Sequence, residues 1–137
     1  MNTGQPVFFV FIKKKSNKVF KEIMKINRFE NIIAWQKGQE LTILIYHNLK
    51  INRDHEYKDQ IQRASISISN NIAEGFERRS NKELKNYLYI AKGSVAEVRS
   101  ILYIGKELKY FSTEQFDLLY LLSIQISKLL SGFIKTL

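Results

Sequence analysis

The sequence predicts an all-α protein, an antiparallel up-down-up-down four-helix bundle, on three observations. After Pro6 no proline interrupts the chain, which suits long helices joined by short turns. Apolar residues recur at steps of three and four along several long stretches, the spacing that lines one side of a helix. Two Ser-x-x-Glu/Gln boxes open the last two of these stretches, and such boxes satisfy the free amides of a helix start. A chain of 137 residues, 45% of them apolar, holds one domain with a single core. Four helices with short connections then pack as a bundle.

The first helix is predicted to begin at Phe29, with Ile32, Ile33, Leu41, Leu44, Ile45 and Leu49 in register. Ile43 and Tyr46 fall off that stripe, so this helix is apolar on more than one side. The polar run at 50–54 reads as a turn, and Asp54 as the N-cap of the next helix. Within that helix Ser65, Ile66, Ser67, Ile68 and Ser69 alternate as a strand would. The wider window overrides this, because Tyr57, Ile61, Ala64, Ile68, Ile72 and Gly75 keep helical spacing over a length few strands reach. Gly75 is the expected stop, since glycine accepts the left-handed conformation common at helix ends.

Ser80 and Glu83 form the first box, ahead of Leu84, Leu88, Ala91, Val95, Val98, Leu102 and Gly105. Ser112 and Gln115 form the second, ahead of Phe116, Leu119, Ser123, Ile126, Leu130, Phe133 and Leu137. Both seams alternate threes and fours throughout. More apolar residues remain than a bundle can hide: Tyr87, Ile90, Ile101, Ile104 and Leu108 beside the third seam, Leu118, Leu122 and Leu129 beside the fourth. Surplus apolar surface of this size predicts a subunit interface.

The net charge of +9 is unevenly spread, with +6 in residues 1–28 and +3 in the rest. A polyanionic partner is therefore suggested mainly by the leading segment and by local clusters. Residues 1–25 read as a basic N-terminal extension and 26–137 as the helical domain. The apolar run at 7–12 precedes its lysines, the reverse of a signal peptide, and falls short of the roughly 20 residues of a membrane span. The expectation is a cytoplasmic protein without a transmembrane segment. With no cysteine and only His47 and His55, thiol chemistry and a His-rich metal site are excluded, and no metal or cofactor is predicted. The two histidines read as surface or turn residues, and Trp35 as a core or interface anchor.

Two constellations are candidates for function. Lys85, Lys92, Arg99 and Lys106 recur every seventh residue, a line drifting about 20° per heptad along the third helix. Arg78, Arg79 and Lys82 extend it towards the preceding turn, and Tyr89 and Tyr103 lie near enough to stack on bases. The line admits two readings, phosphate contact or cations snorkelling over a hydrophobic seam. The second constellation is polar: Arg63, Ser67, Asn71 and Glu74 on the second helix, Ser94 and Glu97 on the third. Buried together they would fix the register of the helices. No nucleophile, metal set or phosphate loop accompanies the carboxylates, so no catalytic residue is assigned and the protein is not predicted to be an enzyme.

An ordered series of short blocks carries a resemblance. Phe29-Glu30 and Ala34-Trp35-Gln36-Lys37 come first, then Gln60-Ile61 with Arg63-Ala64-Ser65. Asn71-Ile72-Ala73-Glu74-Gly75, Ser80 with Lys82-Glu83, and Ala91-Lys92-Gly93-Ser94 with Glu97 follow. In this order they resemble the four-helix-bundle proteins encoded in intervening sequences of 23S ribosomal RNA genes. The resemblance covers about residues 26–137. It implies a homo-oligomeric ring, typically a pentamer, and no established enzymatic activity. A related branch, the accessory proteins of diversity-generating retroelements, implies RNA or DNA and a reverse transcriptase as partners. Two functions follow as expectations: an oligomeric module binding RNA or DNA through the basic stripe, or a protein-interaction scaffold such as an accessory subunit to a nucleic-acid enzyme.

Overall fold

The computed structural model describes residues 26–137; the basic extension at 1–25 lies outside the described residues. A single 3₁₀ turn, Phe29–Asn31, leads into four helices: α1 (Ile33–Asn48), α2 (His55–Phe76), α3 (Asn81–Glu107) and α4 (Thr113–Lys135). Among the described residues there is no strand, and the protein is all-α. Each helix packs against its successor, and α4 packs back on α1. Between α2 and α3 the contacts run in opposite directions: Gly75 meets Tyr87, Ser67 meets Ser94, and Tyr57 reaches Ile101. That pair is therefore antiparallel.

The seams lie where the spacing puts them. On α2, Tyr57, Ile61, Ala64, Ile68, Ile72 and Gly75 are buried; on α3, so are all seven seam residues from Leu84 to Gly105. The strand-like serines lie on a helix, and Ser65 and Ser69 are buried against neighbouring helices because small side chains permit close approach. Ser65 closes its own hydroxyl onto the Gln62 carbonyl at 2.9 Å, and Ser69 accepts from Gln39 of α1 at 2.9 Å. Neither leaves a polar atom without a partner in the core. On α4 the seam is buried from Phe116 to Phe133. By length and composition α4 would also pass as a membrane span, and this seam is what it contributes to the core.

Several expectations need correction. Phe29 starts a 3₁₀ turn, and α1 begins only at Ile33, after Ile32 has taken an extended backbone. Phe29 folds instead against Trp35, ring centroids 5.3 Å apart and edge to face. Gly75 does not stop α2, which continues to Phe76, and no glycine among the described residues has positive φ. Its role is proximity: a Cβ at Gly75 would come within 2.5 Å of the Tyr87 Cβ on α3. Leu122 is not surplus but buried, whereas Ile90, Ile104, Leu108, Leu118 and Leu121 remain open to solvent.

Asp54 caps α2 as expected, its carboxylate accepting from the Tyr57 amide at 3.1 Å. The Ser112–Gln115 box closes in both directions. At Ser80 the hydroxyl accepts from the Glu83 amide at 3.1 Å and donates to the Glu83 carboxylate at 3.2 Å. The left-handed residue comes at the end of α3, at Lys109 with φ 60°. There the Tyr110 amide bonds the Gly105 carbonyl and the Lys109 amide bonds the Lys106 carbonyl, the double closure of a Schellman motif. Lysine pays a steric cost in this conformation that glycine does not. Lys109→Gly is expected to stabilise the fold by about 1 kcal/mol, read as a raised urea midpoint with unchanged slope.

Candidate nucleic-acid interface

The 27-residue length of α3 gives the basic line its geometry. Successive heptad positions lie about 10.5 Å apart along a helix rising 1.5 Å per residue, so Lys85 to Lys106 span most of its length. The line runs along the flank that faces α4. Lys106, at its far end, sits with Nζ 4.6 Å above the Phe116 ring of α4. One turn earlier Tyr103 packs against Phe116 and Tyr120, centroids 5.5 and 5.7 Å away. The Tyr103 hydroxyl titrates above its usual range, chiefly through its hydrogen bond with Tyr120, although the nearby Arg99 charge pulls the other way.

Arg99 is half-buried, and its terminal Nη1 is buried without a hydrogen-bond partner. Lys85 and Lys92 are also half-buried, while Arg79 and Lys82 are exposed. Among the described residues no ion pair engages Arg79, Lys82, Lys85, Lys92 or Arg99. The line therefore divides. Its Lys106 end leans on α4 aromatics as a cation–π contact, and its Lys85–Lys92 end keeps unneutralised charge beside the exposed Tyr89.

Arg78 stands apart from the line. Its guanidinium bonds Glu74 at 2.8 Å and the Tyr87 hydroxyl at 2.6 Å, and lies 3.8 Å from Glu83. It also covers the Tyr87 ring at 5.0 Å. Tyr87 is on the α2-facing side of α3, as its contact with Gly75 shows, so Arg78 fastens the α2–α3 turn on the opposite flank.

Of the polar set, the structure joins three members. Asn71 Nδ2 donates to the Ser67 carbonyl and hydroxyl at 2.7 and 3.0 Å. The Ser67 and Ser94 hydroxyls lie 2.8 Å apart, and Ser94 donates to the Ile90 carbonyl at 3.2 Å. Since each hydroxyl has one proton, Ser67 donates to Ser94 and the chain runs one way from α2 into α3. Arg63, Glu74 and Glu97 stay outside it, exposed. Glu74 goes to Arg78, and Arg63 borders a shallow surface groove with Glu56, Asp59 and Gln60. His47 and His55 are both exposed near the ends of α1 and α2.

A second polar cluster was not foreseen. The Tyr110 hydroxyl donates to Asp54 at 2.6 Å, joining the α3–α4 turn to the α1–α2 turn. With that bond first and the Tyr57 amide second, the Asp54 carboxyl is held below the usual range and stays ionised. Tyr57 packs edge to face on Tyr110, centroids 5.0 Å apart, and donates its hydroxyl to the Ile101 carbonyl at 2.8 Å. Burial, the largest cause, pushes the Tyr57 hydroxyl well above its ordinary value. Gly105 makes room for that ring, which is why α3 ends its seam in glycine. The only sequence signals were Asp54 as a cap and Gly105 in register.

Comparison with known proteins agrees with the blocks that carry the resemblance. Residues 30–132 match the family model of the 23S rRNA-intervening sequence protein. A solved structure of a protein with unknown function, from the S23 ribosomal protein family of Bacteroides thetaiotaomicron, is 29% identical with a TM-score of 0.67. The similarity covers 74% of this chain and 97% of that one. No curated protein matches the chain. With most of the helical domain matched in sequence and in fold, the chain belongs to the 23S rRNA-intervening sequence protein family.

Proposed function

We propose that this protein is a non-enzymatic, self-associating four-helix module that binds RNA or DNA along α3. The observation that carries the reading is the unneutralised cation set of Arg79, Lys82, Lys85 and Lys92, with Tyr89 55% exposed beside it. Cations at such intervals suit a phosphate backbone, and an exposed ring offers a stacking face without sequence preference. Self-association is supported by the open apolar residues on α3 and α4. Repetition of the patch in an assembly multiplies weak contacts into useful avidity. Structured RNA is the first ligand to test, since the family takes its name from rRNA intervening sequences and the structural neighbour from a ribosomal protein. This reading includes a cytoplasmic location.

Binding measured across a salt series tests this directly. Each phosphate neutralised contributes about 0.9 to the slope of log affinity against log salt for duplex and about 0.7 for single strands. Removing Lys85 and Lys92 together is expected to flatten that slope by about 1.4 to 1.8. An affinity indifferent to salt, or to the double alanine variant, overturns the reading. A protein partner retained after nuclease treatment, without any RNA shift, would favour the scaffold role instead.

A further inference from the structure

One end of the fold gathers cations from separate elements. Gly38 and Gln39 of α1 meet Ser69 of α2, and only residues 49–54 join the two helices, so the chain enters α1 beside the end of α2. Tyr103 packs on Tyr120 and Lys106 covers Phe116, so α4 runs back along α3 and its last turn returns to the start of α3. Arg79, Lys82 and Lys85 therefore share this end with Lys135, and among the described residues none of the four has an ion pair. The carboxylates here are mostly occupied. Glu30 pairs with Arg28, and Glu74 and Glu83 with Arg78, which leaves Glu77. Among the described residues the exposed large hydrophobics lie elsewhere, none of them within 26–37, 74–85 or 128–137.

The chain that precedes this entry carries Lys13, Lys14, Lys15, Lys18, Lys21 and Lys25 against Glu22 alone. We propose that these lysines and the Arg79–Lys85 end of the bundle contact one nucleic-acid molecule together, a proposal that rests on the α3 reading above and adds a second arm to it. At about 3.3–3.6 Å per residue, the chain between Lys15 and Ile26 reaches at most about 40 Å. The lysines are thus tethered near the unneutralised cations, and a tether turns the second set of phosphate contacts into an intramolecular event. The charge left open on both sides of the entry point has the sign a phosphate backbone requires. A nucleic acid fits this end better than a lipid surface does, because a membrane-seated helix end buries large apolar side chains at the headgroup boundary, and this end exposes none.

Binding of full-length chains to a structured RNA across a salt series tests the proposal. A variant carrying Lys13→Gln, Lys14→Gln, Lys15→Gln, Lys18→Gln and Lys21→Gln should keep wild-type helicity, because these positions lie outside the helical domain. It is expected to flatten the slope of log affinity against log salt by about 1.4 or more, the share of two phosphates. That loss should add to the loss in the Lys85→Ala, Lys92→Ala variant, since the slope counts the phosphates neutralised in one binding event. Arginine at the same five positions should keep the wild-type slope. A slope unmoved by the glutamines, with the double alanine variant still flattening it, overturns the second arm and leaves the α3 reading standing. Full loss with the glutamines and none with the double alanine variant assigns binding to the extension alone and overturns both. The apolar run at 7–12 makes anionic phospholipid vesicles the parallel probe. Vesicle capture abolished by the glutamines, with the RNA slope unmoved, overturns the nucleic-acid assignment of the extension.

Discussion

Alanine at Gly105 is expected to destabilise the protein by about 2 kcal/mol or more, while the same change at Gly93 should stabilise it. Both glycines lie in the interior of α3, where alanine is intrinsically better by about 1 kcal/mol. At Gly93 a Cβ meets nothing within 4 Å, so the intrinsic gain should appear in full. At Gly105 it would collide with the Tyr57 hydroxyl and come within 2.6 Å of the Phe111 ring. Tyr57 would have to withdraw from the Ile101 carbonyl, losing a buried hydrogen bond worth about 1 kcal/mol on top of an overpacking cost of about 1–3 kcal/mol. Urea denaturation of the two variants side by side measures the contrast. Equal effects at both positions would show that Tyr57 does not need the space at Gly105.

Leu102 and Ile104 supply the second large contrast, two residues apart on one helix. Leu102 is fully buried, and truncation to alanine is expected to cost about 3 kcal/mol through lost burial and a residual cavity. Ile104 is half exposed, so Ile104→Ala should leave the stability of the isolated chain nearly unchanged. Its effect should appear instead in the concentration dependence of assembly. Denaturation at dilute concentration, set against light scattering over a dilution series, separates the two. A large loss of dilute-chain stability in Ile104→Ala would place that side chain in the core rather than at a contact between copies.

The helices were legible because their information is local. Spacing along α2, α3 and α4 identified the buried seams, and Asp54 and Ser112 announced helix starts through chemistry confined to a few residues. α1 was harder, since Phe29 and Ile32 fit the helical period yet Ile32 adopts an extended backbone before the helix begins. Gly75 shows the ambiguity of a glycine near a helix end. The same residue type serves a left-handed stop or a close crossing, and only the position of Tyr87 on another helix distinguishes them. The Asp54–Tyr110 bond joins residues 56 positions apart, so no local pattern could reveal it.

The candidate site divides along the same line. A heptad period sufficed to align Lys85, Lys92, Arg99 and Lys106, because all four share one helix. It could not show that Lys106 turns onto Phe116 or that Arg78 is committed to Glu74 and Tyr87. Those partners belong to other elements, and they separate cations anchored within the fold from cations without an ion pair.

The Tyr110–Asp54 bond has a mechanical consequence. It ties the turn between α1 and α2 to the turn between α3 and α4, so both hairpins are clasped at one end. At the other end, the α2–α3 connection is held by Arg78 through exposed side chains. The seam between the two hairpins is therefore fastened at both ends, by the Tyr110–Asp54 clasp at one and by the Gly75–Tyr87 crossing and Arg78 at the other. Lys82 and Lys85 thus project from the start of α3 beside a turn that is braced on its α2-facing side.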